Sequence, residues 1–196
     1  MTALYVIIGL IVLAVVVARL YLCVAGMEDI VVDTSAPFVV EEKTAEHIVI
    51  SKQLAFRNEG KQCATLMDAF VRLQLPYEQY DGIEAHGCMD RELYPREAKD
   101  GQAGERIRRE DNYFEAVIIQ KKGDPSHEDK LNLYAMVELK PRKGLTLNEA
   151  LTKMVDVPLD CIWQETGRRP WHYRKVQCIL TAEEIAKLAG VQLALD

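Results

Sequence analysis

Few residues in this chain combine a reactive side chain with a spacing that chemistry would use. The densest cluster is His86-Gly87-Cys88-Met89. It holds the ligand types of a blue-copper site, which takes two His, a Cys and a weak Met. The wider Cys-to-His-to-Met spacing of such sites is missing, and His47, His127 and His172 are scattered. His86 and Cys88 are therefore read as turn residues. A nucleophilic Cys or Ser needs a base beside it. Cys63, Cys161 and Cys178 fall in alternating stretches that suit buried, small apolar residues. Ser35, Ser51 and Ser126 sit in no strand–turn–helix elbow. Phosphate-cradling glycine patterns are absent. No catalytic, cofactor-binding or metal-ligating residue is predicted, and no cofactor. Arg168, Arg169, Arg174 and Lys175 surround Trp171 and form a candidate patch for an acidic partner. The plainer reading, that they balance neighbouring acids, is preferred. The four cysteines outside the first 27 residues (Cys63, Cys88, Cys161 and Cys178) suit two disulfides in an oxidising compartment or four thiols in a reducing one.

The element that must position any of these is the first one. Ala3 to Ala18 is apolar without a break, and after Arg19 the run resumes from Leu20 to Met27. A helix needs about 20 apolar residues to cross a bilayer. A secretory leader wants a basic residue before its apolar core and small residues at its end. Here only Met1 and Thr2 precede the core, and the best cleavage-like spot, Cys23-Val24-Ala25, lies beyond Arg19. Leu22 is too bulky for a lipoprotein signal at Cys23. Residues 1–27 are thus predicted to be an uncleaved single-pass anchor in a plasma or inner membrane, with residues 3–27 in lipid. Arg19 is predicted to be an interface anchor whose stem snorkels to the headgroups. It is also the basic residue on the domain side of the run, which leans that side towards the cytoplasm.

Residues 28–196 carry an ordinary globular composition and the length of one domain. The chain has 24 basic and 30 acidic side chains, a net of −6, and leaving out Arg19 makes the remainder one unit more negative. An acidic domain argues against a nucleic-acid partner and against lying flat on anionic lipid.

Along the chain, residues 28–37 read as a stalk and Phe38 to Val40 as a first strand. His47 to Arg57 alternates with Ile48, Ile50, Leu54 and Phe56 on one face, Lys52 being the exception. Asn58-Glu59-Gly60 is a turn, and Cys63 to Leu75 a second strand predicted to pair with the first. Residues 76–112, rich in Pro, Gly and charge, read as one long irregular stretch, with an exposed loop from Glu92 to Arg109. Tyr113 to Lys121 and Leu131 to Lys140 read as a hairpin. Thr146 and Glu149 have capping-box spacing and open a short helix to about Val155. Val157 to Gln164 and Trp171 to Leu180 read as strands around a turn at 166–170. Thr181 and Glu184 form a second capping box, and Gly190 ends that helix.

The run Leu54-Ala55-Phe56-Arg57-Asn58-Glu59-Gly60, followed by Cys63-Ala64-Thr65-Leu66, resembles the strand–turn–strand start of bacterial immunoglobulin-like sandwich domains. The resemblance implies a fold and a general role in binding or spacing. It implies no site residues, and the Cys-Trp-Cys arrangement of antibody-type domains is absent. The combined expectation is a mainly β chain: an antiparallel, immunoglobulin-like β-sandwich with two short helices over 38–196, preceded by one transmembrane helix. The function expected is non-enzymatic, either protein interaction with an unidentified partner or structural support. The alternative is a membrane-tethered enzyme or small-ligand-binding domain with 76–112 as a lid.

Overall fold

The computed structural model describes residues 2–77, 81–94, 97, 104–107 and 116–194. In chain order the elements are α1 (Thr2–Ala25), β1 (Ile30–Asp33), β2 (Phe38–Lys43), β3 (Ile48–Asn58), β4 (Ala64–Leu73), β5 (Ile83–Glu92), β6 (Arg106–Ile107), β7 (Val117–Ile119), β8 (Lys130–Pro141), α2 (Leu147–Thr152), β9 (Val157–Thr166), β10 (His172–Leu180) and α3 (Ala182–Ala189).

An all-round apolar helix has no face to turn to water, and α1 packs none of its apolar window inside the protein. Leu4–Ala25 is long and apolar enough to cross a membrane, a test that a signal sequence near the N-terminus also passes. At 1.5 Å per residue it is about 33 Å long, against a hydrocarbon core of about 30 Å.

The strands form two antiparallel sheets. One runs β1-β3-β8-β5-β6, with β2 beside β1 on the same edge of β3. The other runs β10-β9-β4-β7. One hydrophobic core draws on both: Ile48, Ile50, Leu54 and Phe56 of β3 with Leu133 and Val137 of β8, and Leu66, Val71, Leu159 and Trp163 of β4 and β9. The Phe56 and Trp163 rings meet edge-to-face, centroids 5.0 Å apart at 78°, the geometry favoured by aromatic quadrupoles. Lys52 breaks the apolar face of β3 at a point where its ammonium lies 4.6 Å over the Phe38 ring and donates to Ala36 O. That pairing satisfies a largely buried charge.

Several expected elements are placed differently. β3 and β4 do not pair; β4 belongs to the other sheet. Both edges of β3 are already occupied, one by β1 and β2 and the other by β8. Among the described residues the predicted hairpin does not form, for the same kind of reason: β7 pairs with β4, and β8 lies between β3 and β5. Residues 113–115 of that hairpin lie outside the described residues. Where a stalk was expected, β1 pairs with β3 and Ile30 is buried. Within the stretch read as irregular, β5 forms nine register pairs with β8, and His86, Cys88 and Met89 lie on this strand rather than in a turn. Its signal is hidden because Asp90 and Arg91 are buried in it. Arg91 is neutralised by Glu97 at 2.6 Å. Gly87 stands where a Cβ would come within 2.9 Å of Val71 O on β4. Helix α2 ends at Thr152, short of the expected Val155.

Both capping boxes form as expected. Thr146 and Thr181 accept from the backbone N–H of Glu149 and Glu184, whose carboxylates accept from the cap residues' own N–H. Gly190 closes α3 in the left-handed conformation.

Candidate functional site

A densely hydrogen-bonded polar region lies where α1 meets the two sheets. A helix leaves its last carbonyls without intrahelical partners, and those carbonyls need donors. Gln62 supplies one, donating from Nε2 to Ala25 O at 2.7 Å. Arg168 supplies another, from Nη1 to Gly26 O at 3.3 Å. The Lys61 amide donates to Met27 O at 3.0 Å.

Residues 26–30 then run between two turns. The first is the β3–β4 turn. Asn58, 1% exposed, accepts through Oδ1 from the amides of Asp29 (3.2 Å) and Gly60 (2.9 Å). Its Nδ2 donates to Gln62 O at 2.7 Å, and the Glu59 amide donates to Asp29 O at 2.8 Å. Gly60 lies so close to this segment that a Cβ would overlap Met27 O and Asp29 N. The second is the β9–β10 turn. Glu28, also 1% exposed, accepts from the amides of Arg168 (3.0 Å) and Arg169 (3.1 Å). A Cβ on Gly167 would fall 2.6 Å from that carboxylate. Burial opposes ionisation of Glu28, but the backbone donors of Arg168, Glu28 itself and Arg169, with the Arg169 charge, outweigh it and hold its carboxyl below the ordinary 4.5.

Of the predicted patch, three arginines come to this junction. Arg168 and Arg169 form the turn. Arg174 donates to Ile30 O at 3.0 Å and to Glu165 Oε1 at 3.4 Å. Glu165 is itself buried, and it also accepts from Trp163 Nε1 at 3.0 Å. Arg168 lies 5.8 Å over the Tyr21 ring of α1. Trp171 is not drawn in and stands 51% exposed. Lys175 points to the other face of β10, where it meets Asp160 at 3.1 Å. Arg19 is on α1 and lines a cavity with Arg168. The residues that sequence reasoning passed over are Glu28 and Gln62, together with the bonding role of Asn58. Glu28 pairs with amides 140 and 141 positions away, a distance at which no local pattern gives a signal.

Among the described residues no group of three or more His, Cys, Asp or Glu is placed to hold a metal ion. Cys161 and Cys178 are both buried thiols, and Cys63 is exposed. The Cys161–Cys178 hydrogen bond, with burial, pushes the Cys161 thiol up, while at Cys178 the same bond outweighs burial and holds that thiol below its ordinary value. His172 Nε2 lies 3.1 Å from Glu165, and His47 lies 3.5 Å from Glu42.

Neither a protein-family model nor a curated protein matches this chain.

Proposed function

We propose that this chain is a single-pass membrane protein of the plasma or inner membrane. Its apolar helix holds one immunoglobulin-like β-sandwich at the bilayer surface, where the domain serves protein interaction or structural support rather than catalysis. The observation that carries the reading is the junction. Gln62 and Arg168 cap the end of α1, and two separate turns grip the five residues that follow it. Such a connection fixes how the domain stands relative to the helix, which suits a retained anchor and has no use in a leader that is removed.

Strand order supports the sandwich. With β1/β2 taken as A, β3 as B, β8 as E and β5 as D, the first sheet follows the A-B-E-D order of constant-type immunoglobulin domains. With β4 as C, β9 as F and β10 as G, the second follows C-F-G. The passage from β3 to β4 through Asn58-Glu59-Gly60 is then the B–C connection, which crosses between sheets. Where antibody domains join B to F by a disulfide, Phe56 and Trp163 join the same two strands by ring contact.

The test is intact-mass measurement of protein recovered from membranes after an alkaline wash. The expected outcome is a membrane-retained species that still includes residues 2–25. A released species lacking them overturns the reading. Labelling of exposed Cys63 by a membrane-impermeant thiol reagent then assigns the side. Labelling only after lysis places the domain in the cytoplasm, the side to which Arg19 leans.

A further inference from the structure

A cavity of about 460 Å³ opens where the helix meets the sheets, lined by Arg19, Leu22, Cys23, Gly26, Met27 and Arg168. The first four follow the i, i+3, i+4, i+7 spacing of one helix face. The lining holds two guanidinium groups and no carboxylate. The nearest acid on the chain, Glu28, turns both oxygens to the backbone amides of Arg168 and Arg169. Arg168 spends one donor on Gly26 O, and a guanidinium has five N–H groups.

Depth sharpens the chemistry. If Leu4–Ala25 crosses the bilayer, the Ala25 end lies at the hydrocarbon boundary. Arg19, six residues earlier, starts about 9 Å deeper. A charge at that depth reaches for the headgroup layer. Arg168 comes to the same space from the domain side. Between them the walls are Leu22, Cys23, Gly26 and Met27, which offer apolar surface and no acceptor charge.

We propose that this cavity binds one anionic phospholipid, its phosphate held between Arg19 and Arg168 and an acyl chain laid along Leu22 and Met27. The proposal rests on the membrane reading given above. Planar guanidinium forks suit phosphate oxygens. A neutral headgroup such as glycerol leaves the phosphate charge uncompensated. A choline headgroup brings its own cation, and no lining carboxylate receives it. The acidic domain as a whole is therefore kept off anionic lipid, while this one point is made selective for it.

The experiment is native mass spectrometry of the full chain released from micelles containing phosphatidylglycerol, phosphatidylcholine or inorganic phosphate alone. The expected result is a one-to-one phosphatidylglycerol adduct retained at least about fivefold more than phosphatidylcholine, at about a factor of five per arginine. Arg19→Gln and Arg168→Gln should each reduce it by about fivefold, and Arg168→Lys, which keeps the charge and loses the fork, should recover only part of it. Arg19 makes none of the junction's hydrogen bonds, so R19Q tests the site without loosening the fold. Equal retention of the two lipids, or an adduct indifferent to both Gln variants, overturns the proposal. Displacement of the lipid by millimolar inorganic phosphate also overturns it, because the ligand is then free phosphate. Flotation with phosphatidylcholine vesicles after an alkaline wash separates the two readings. A chain that floats but shows no anionic preference sinks the lipid site alone, whereas a chain that fails to float sinks the membrane reading with it.

Discussion

Asn58→Ala should destabilise the domain more than any surface change of similar size. The side chain makes three hydrogen bonds: it accepts from the amides of Asp29 and Gly60 and donates to Gln62 O. Each is worth about 1 kcal/mol net, and truncation leaves buried backbone groups without their partner. The loss is then about 3 kcal/mol. For a chain of this size one kcal/mol moves Tm by about 2–4 °C, so the expected drop is about 6–12 °C. The assay is thermal unfolding of the full chain in neutral detergent, followed by tryptophan fluorescence, because buried Trp163 reports the inter-sheet core. Asn148→Ala on the exposed side of α2 is the control, expected within about 0.5 kcal/mol of the parent. The variant should also free the segment after the helix, so protease should cut near residues 26–30 faster. A Tm loss under about 2 °C would refute the reasoning, since it would mean the turn holds its shape without the Asn58 bonds.

Other consequences follow from the same geometry. Glu28→Gln keeps the shape but offers one acceptor oxygen to two amides, and should cost about 2 kcal/mol, read as a fall in Tm. The carboxyl of Glu28 is held below 4.5 when folded, so its contribution is fully present above the unfolded value and is lost as pH falls through the folded one. Stability should therefore drop below about pH 4.5 in the parent and drop less steeply in E28Q; parallel pH profiles would count against the assignment. Thr181→Ala removes the cap of α3 and should cost about 1 kcal/mol by chemical denaturation, with a larger effect than at any exposed mid-helix position. Cys63 should react with a thiol reagent in the folded protein, while Cys161 and Cys178 should wait for unfolding; equal rates for all three would contradict the burial of the β9 and β10 thiols in the core.

Local pattern was sufficient wherever the physics is local. The apolar run that Arg19 alone interrupts specifies a long helix, Thr2–Ala25, because apolar side chains cover it all round. The alternation of Ile48, Ile50, Leu54 and Phe56 specifies a half-buried strand, and Thr146 with Glu149 and Thr181 with Glu184 specify helix starts, because the groups that satisfy one another lie three residues apart. The Asn58-Glu59-Gly60 turn was legible as a turn for the same reason. Only the tertiary structure decided which strands pair. β3 and β4 are adjacent in sequence yet separate in space, because β1, β2 and β8 compete for the edges of β3 and no residue within β3 records that outcome. β5 escaped notice because its buried Arg91 depends on Glu97 and its Gly87 on the approach of β4. The junction lies furthest from local signals. Glu28, Asn58, Gln62 and Arg168 look like ordinary polar residues, and they become a socket when hydrogen bonds across 140 positions of chain bring the β9–β10 turn against the end of the helix. Hydrophobic periodicity is written residue by residue, whereas the satisfaction of a buried carboxylate is written only in the distance to its donors.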